Sequence, residues 1–173
     1  YAPSLGGEHM RSQAPLPAQI QIYPKYLSDA GYYCTNNSKK DYNLDQELPG
    51  WDDSSNKAHW KNRPAGKPFF AIFNTTVTHE SVLHPAKFTG KFAVPLDQVR
   101  VPAYLPDTKT TRERISNYYS RINEMDDFVA AKLQELEDAG LAEDTIVFYY
   151  SDHGGIMPRS KRFIYESGTH VPL

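Results

Sequence analysis

A single cysteine, Cys34, stands among the 173 residues, so the chain holds neither an internal disulfide framework nor a four-cysteine zinc site. Excess charge of one sign is also missing. Lys and Arg number 19 against 21 Asp and Glu, a net charge of −2, which gives no electrostatic case for nucleic acid or an anionic membrane as partner. No apolar run approaches the ~18 residues of a membrane helix, and there is no internal repeat or low-complexity tract. What is present suits a folded α/β protein. A hydrophobic share of 39% is enough for a core, and with 23% charged residues the chain is too mixed to be disordered. The length fits one domain or a large piece of one. The first residue is Tyr1 and the last three are Val171-Pro-Leu173, which reads as an internal segment of a longer protein.

Punctuation and periodicity set out the elements. Residues 1–22 are rich in Pro, Gly and Gln and read as loop. A short helix is expected from Pro24, since proline is tolerated in the first helical turn, with Gly31 as its C-terminal stop. Tyr32–Thr35 is a short strand candidate. Residues 38–67 are polar, carry Trp51 and Trp60, and read as an irregular excursion. Phe69–Phe73 is a continuous apolar run expected to be a strand buried on both faces. Residues 79–109 return to proline-punctuated loop. The clearest helix spans 111–139: Thr110 and Glu113 have capping-box spacing, Ile115, Tyr118, Ile122, Met125, Val129, Leu133 and Leu136 draw an apolar stripe, and Gly140 stops it. Thr145–Tyr150 then reads as a second buried strand. Strand, long helix, strand is the pattern of a parallel sheet, whose ligands bind at the C-terminal strand ends.

Four segments at those ends carry chemistry. In Ser151-Asp-His-Gly-Gly155, the Asp152 carboxylate and His153 imidazole can turn to one divalent cation while the glycines let backbone come close. The same residues also suit a plain turn. In Asn74–Glu80, His79 can donate a proton or bind an anion, with His84 a weaker candidate. Pro158–Gly168 holds three cations within four positions, Arg159, Lys161 and Arg162, able to clamp a sulfate or phosphate or simply to face water. Asn36–Asn43 adds Lys39 and Lys40. Together they propose a metal, a histidine and lysines gathered for an anionic ester.

The residues resemble the sulfatase family of the alkaline-phosphatase-like superfamily. Asp144–Gly155, Lys161 and Tyr165–Leu173 resemble its late metal motif and the segment after it. Residues 30–43 resemble its early strand and lysine, 68–80 the strand ending in its active-site histidine, and 1–12 the stretch just after its nucleophile motif. Among subgroups the chain looks most like those that act on sulfated glycans as heparan N-sulfatases. The resemblance implies a partial alkaline-phosphatase-like α/β fold, a mostly parallel sheet with flanking helices, in which residues 1–173 are an internal part of a catalytic domain. It implies Asp152 and His153 as ligands of a divalent cation, Ca2+ before others, although many members have Asn where His153 stands. It implies Lys161 and Lys39 as sulfate-binding lysines and His79 as the histidine assisting the leaving group. Asp41 stands where the family usually has a histidine, so Asp41 or Tyr42 joins Arg159 among the expected substrate contacts. A sulfated carbohydrate substrate and a periplasmic, secreted or lysosomal location follow from the same resemblance, which leaves the oligomeric state open.

Two family features are missing. No Cys/Ser-x-Pro-x-Arg motif, whose first residue is oxidised to formylglycine, occurs in the chain, and neither do the family's first metal-binding aspartates. Cys34, in a Tyr-Tyr-Cys-Thr context, is no substitute. The nucleophile is therefore expected upstream, and the 173 residues alone are expected to be inactive. A phosphodiesterase or phosphonate hydrolase of the same superfamily is the alternative enzyme. A non-catalytic glycan-binding module, with Trp51, Trp60 and tyrosines as sugar platforms, is the alternative outside enzymes. The sequons at Asn36 and Asn74 read as coincidence.

Overall fold

A computed structural model describes residue 13 and residues 15–44, 48–84, 87–88 and 92–172. The stretch before Gln13, with its resemblance to the segment after the nucleophile, lies outside the described residues. The chain divides into two compact units, Tyr1–Asn74 and Thr75–Leu173.

The first unit is built on a three-stranded parallel sheet in the order β2-β1-β3, with β1 Tyr33–Asn37, β2 Asp53–Ser54 and β3 Phe69–Phe73. The β1–β3 register runs from Tyr33 opposite Phe69 to Asn37 opposite Phe73. Side chains alternate across a strand, and β3 uses both faces. Phe69 stacks on Trp60 at 5.2 Å and Phe73 meets His59 at 5.1 Å, while Phe70 turns the other way onto Tyr23 at 5.5 Å and Trp51 at 6.0 Å. Aromatic pairs of this kind contribute about 0.5–1.5 kcal/mol beyond their buried area. Every residue of β3 is nonetheless only half-buried, short of the full burial expected. The 38–67 excursion is also more ordered than its polarity suggested. It supplies β2, and Trp60, 4% exposed, packs as a core residue. That argues against Trp60 as a sugar platform.

Helix α1, Tyr23–Asp29, carries Pro24 in its first turn and stops at Gly31 (φ 95°). Tyr32 N–H bonds Leu27 O and Gly31 N–H bonds Ser28 O, which satisfies the last carbonyls of the helix. Cys34 lies beneath it with its thiol donating to Pro24 O, and burial, ahead of the nearby Asp52 charge, pushes that thiol up to about 11. A thiol so held is a packing group and not a nucleophile.

The second unit hangs on α2, Lys109–Asp138. Its cap is Thr108, whose hydroxyl accepts from Thr111 N–H, two residues before the Thr110 expected from the capping-box spacing. Arg112 explains the shift. It forks onto Asp107 at 2.6 and 2.7 Å and reaches Leu96 O and Val99 O, so the chain ahead of the helix is drawn in and Thr108 falls at the turn. The apolar stripe is only partly buried: Ile115 and Leu136 are covered, Leu133 is 43% exposed. Polar side chains hold much of the packing instead. Buried Asn117 donates to Val82 O at 3.0 Å, and Ser116 and Arg114 bond Val94 O and Leu83 O. α2 closes at Gly140 as α1 does at Gly31, with Leu141 N–H on Leu136 O.

Thr145–Tyr150 departs from expectation. It joins no strand ladder among the described residues, and Ile146 is 84% and Phe148 72% exposed. β-branched and aromatic composition favours a strand only where a partner strand and a covering face exist. Tyr149 touches α2 through Met125 Sδ at 3.3 Å. The last helix, α3, is the single turn Glu166–Thr169.

Candidate active site

In the first unit, β1 runs directly into the loop bearing Lys39, Asp41 and Tyr42. Asn36, 1% exposed at the strand end, organises that loop. Its amide nitrogen donates to Lys39 O at 2.9 Å and Ser54 Oγ at 3.0 Å and lies 3.4 Å from Tyr42 Oη, while its carbonyl accepts from Asn74 Nδ2 at 3.0 Å. With its nitrogen engaged and its side chain buried, Asn36 is closed to a glycan in the folded chain. Lys39 Nζ lies 3.4 Å from Asp41 Oδ2, so those two expected site residues are ion-paired to each other.

In the second unit the structure brings His79 and Lys161 together, although 82 positions separate them. His79 precedes the 3-10 turn Glu80–Leu83, which α2 grips through Asn117 and Arg114. Ser81 N–H donates to His79 Nδ1 at 3.2 Å. A ring nitrogen that accepts carries no proton, so in the neutral imidazole the proton sits on Nε2. Lys161 Nζ lies 3.4 Å from that Nε2. Two donors this close cannot satisfy each other. They converge on a position where an oxyanion could accept from both.

Glu80 anchors the pair. Arg162 forks onto its two oxygens at 2.8 and 2.9 Å, and Lys161 Nζ lies 3.5 Å from Oε1. The three cations of Pro158–Gly168 therefore do not act as one clamp: Arg162 is committed to Glu80, Lys161 is held by Glu80 beside the His79 ring, and Arg159 packs over tyrosines. Sequence reading passed over Glu80 and Ser81. The adjacency of Glu80 to His79 was the available signal for the first; nothing local marked Ser81 as the group that sets the tautomer.

The Arg162 hydrogen bonds, more than the Lys161 and Arg162 charges, hold the Glu80 carboxyl below its ordinary value of 4.5, against the opposing effect of partial burial. A lowered folded-state value means that this link stabilises fully above pH 4.5 and is lost as pH falls below it. The Glu80→Gln variant is expected to flatten the thermal-midpoint profile on the acid side of that value while matching its shape at neutral pH. An unchanged acid limb would show that Glu80 is not the group titrating.

Asp152 and His153 also come together. His153 Nδ1 lies 2.7 Å from the Gly154 carbonyl, which can only accept, so Nδ1 carries the proton and Nε2 keeps its lone pair. Asp152 Oδ2 is 3.6 Å from that Nε2. An oxygen and a nitrogen donor facing one point fit a divalent cation. Two donors alone do not make a metal site, and no group of three or more His, Cys, Asp or Glu suited to a metal occurs among the described residues. The glycines behave as their chemistry suggests: Gly154 N–H bonds Gly168 O at 2.9 Å and Lys161 N–H bonds Gly155 O at 3.0 Å, which folds 152–168 back on itself. A Cβ on Gly154 would lie 1.9 Å from Ser167 O. His84 sits exposed at the end of the 3-10 turn.

A parallel sheet with helix α1 packed against β1, and β1 running into a lysine-bearing loop, fits the alkaline-phosphatase-like class of α/β proteins, in which the family match below places the chain. Within that class it belongs to the sulfatase family, whose pattern matches residues 17–173. An ulvan-active sulfatase of Formosa agariphila is 36% identical over 219 aligned positions that cover all of this chain and 37% of that protein. The human N-sulphoglucosamine sulphohydrolase is 40% identical over 79 positions, 46% of this chain and 16% of that protein, and a bovine arylsulfatase K is 24% identical over 71% of the chain and 30% of its own length. The chain thus spans between 16% and 37% of the length of these relatives. No helix among the described residues is long and apolar enough to cross a membrane.

Proposed function

We propose that these residues form an internal part of a longer enzyme that hydrolyses sulfate esters or sulfamates on a sulfated carbohydrate, outside the cytoplasm. The observation that carries the reading is the approach of His79 Nε2 and Lys161 Nζ to 3.4 Å. Lys161 holds a sulfuryl oxygen with its charge. His79 gives its Nε2 proton to the ester oxygen, or to the sulfamate nitrogen, as the bond to sulfur breaks. Ser81 keeps the proton on that nitrogen, and Glu80 keeps Lys161 in place. Lys39, Asp41 and Tyr42 of the first unit stay, in this reading, candidate substrate contacts that rest on the family resemblance alone. When bound, a divalent cation at Asp152 and His153, Ca2+ first, supplies positive charge against the sulfuryl oxygens, and a formylglycine elsewhere in the full-length protein supplies the attacking oxygen.

The test is sulfate release, read by ion chromatography, from a sulfated oligosaccharide incubated with the full-length protein. A phosphodiester runs in parallel, and chelator is added to half of each sample. Sulfate release lost to chelator is expected, and phosphomonoester production in its place would move the assignment to phosphoryl transfer. The 173-residue chain alone is expected to release nothing, since it lacks a Cys/Ser-x-Pro-x-Arg motif. Sulfate release from the isolated chain would overturn that part.

A further inference from the structure

Arg159 is the one cation of its run that neither His79 nor Glu80 engages. Its guanidinium lies over two rings, 5.3 Å from the centroid of Tyr104 and 4.7 Å from that of Tyr165. No hydrogen-bond acceptor or ion-pair partner meets it among the described residues. The backbone is set for this pose at some cost. Arg159 has φ 68°, a left-handed conformation that side chains with a Cβ rarely adopt, and Ser167 Oγ donates to its carbonyl at 2.7 Å. The rings and guanidinium line an open cleft of about 510 Å³ with Glu166, Ser167 and His170. Glu166, the acidic group there, is 2.8 Å from His170 Nδ1. Tyr104 and Tyr165 remain 40% and 50% exposed.

A guanidinium packed over aromatic rings still has N–H groups for a planar or tetrahedral oxyanion, and the exposed ring surface suits the apolar face of a sugar. Arg159 and Lys161 are two positions apart, at most about 7 Å of backbone, so a short oligosaccharide can reach both. We propose that the Tyr104–Arg159–Tyr165 cleft is a second saccharide subsite, which takes a sugar residue bearing an oxyanion, a carboxylate or a further sulfate, from the same chain whose sulfate meets His79 and Lys161. The proposal rests on the sulfated-carbohydrate reading above, but its test does not depend on turnover.

Binding of heparin-derived tetrasaccharides to the full-length protein is measured by calorimetry in native, carboxyl-reduced and N-desulfated forms. The wild type is expected to prefer the native form over one of the two modified forms, and which one identifies the oxyanion. Arg159→Ala is expected to weaken native binding by about 10–100-fold and to abolish that preference, Arg159→Lys to restore part of it, and Tyr104→Ala to weaken every form. Near-ultraviolet circular dichroism checks that the variants stay folded, as expected for exposed residues. A preference that survives Arg159→Ala, or no binding of any form by the wild type, overturns the subsite. Binding that depends on Arg159 without sulfate release in the earlier assay would sink the hydrolase reading and leave the subsite standing.

Discussion

Replacing Lys161 with Met in the full-length protein is expected to lower kcat for sulfate release by about 10²–10³, the usual effect of deleting one donor to a developing oxyanion. Replacing His79 with Ala is expected to cost about 10²–10⁴, the range for a positioned general acid. The two losses differ in kind, and the leaving group separates them. An aryl sulfate built on an acidic phenol departs without needing a proton, so His79→Ala should lose much less on that substrate than on a sugar sulfate. Lys161→Met acts on the sulfuryl oxygens, which both substrates share, and should lose similar factors on both. The double variant should be little worse than the poorer single one, because residues that act as a unit are not additive. If His79→Ala loses the same factor whatever the leaving group, His79 is not the proton donor, and the 3.4 Å approach to Lys161 serves only to bind the anion. Ser81 cannot be tested in the same way, since its backbone N–H sets the tautomer and a side-chain substitution leaves that donor in place.

The sequence made the frame legible where local physics decides the outcome. Phe69–Phe73 announced β3 by an apolar run between prolines and polar loop, and Gly31 and Gly140 announced two helix ends, because a left-handed stop is a property of one residue. It failed where the outcome depends on partners far along the chain. Thr145–Tyr150 has strand composition and no ladder among the described residues. Trp60 sits in a polar stretch, and its burial depends on Phe69 arriving beside it. The cap at Thr108 follows from Arg112 reaching Asp107 and the carbonyls of Leu96 and Val99, contacts that no capping pattern encodes. The site divides in the same way. His79 and Lys161 were legible as chemistry and through family likeness. Their meeting, and the use of Arg162 to neutralise Glu80 instead of binding substrate, belong to tertiary structure. Charge runs are ambiguous for this reason: Arg159, Lys161 and Arg162 read alike in sequence and meet three different environments.

Two adjacent glycines should give opposite results, with the second-largest effect expected in the protein. Gly154 and Gly155 both lie outside the left-handed region, so alanine strains neither backbone, and only space decides. A Cβ on Gly154 would lie 1.9 Å from Ser167 O and 2.8 Å from Ser167 C, and these are backbone atoms that cannot swing aside. The same glycine donates its N–H to Gly168 O, so the 152–155 and 165–168 segments would have to part to admit a methyl group. Overpacking of this kind costs about 3 kcal/mol, which at about 2–4 °C per kcal/mol lowers the melting midpoint by about 6–12 °C. Catalysis should fall further than stability accounts for, because Lys161 hangs on Gly155 O and Asp152 and His153 lie at the displaced end. On Gly155 the nearest atoms to a Cβ are in the Tyr118 ring, at 3.6 Å, an ordinary contact. Gly155→Ala should therefore be neutral or stabilising by about 0.4–1 kcal/mol, through the unfolded chain it restricts. Gly168→Ala, with a Cβ 2.2 Å from Phe163 O and 2.4 Å from Ser160 O, should behave like Gly154→Ala. Melting curves and sulfate release for the three variants decide the matter. If Gly154→Ala melts with Gly155→Ala, the 152–168 loop is not closed on itself, and the positions of Lys161 and His153 derived from that closure fall with it.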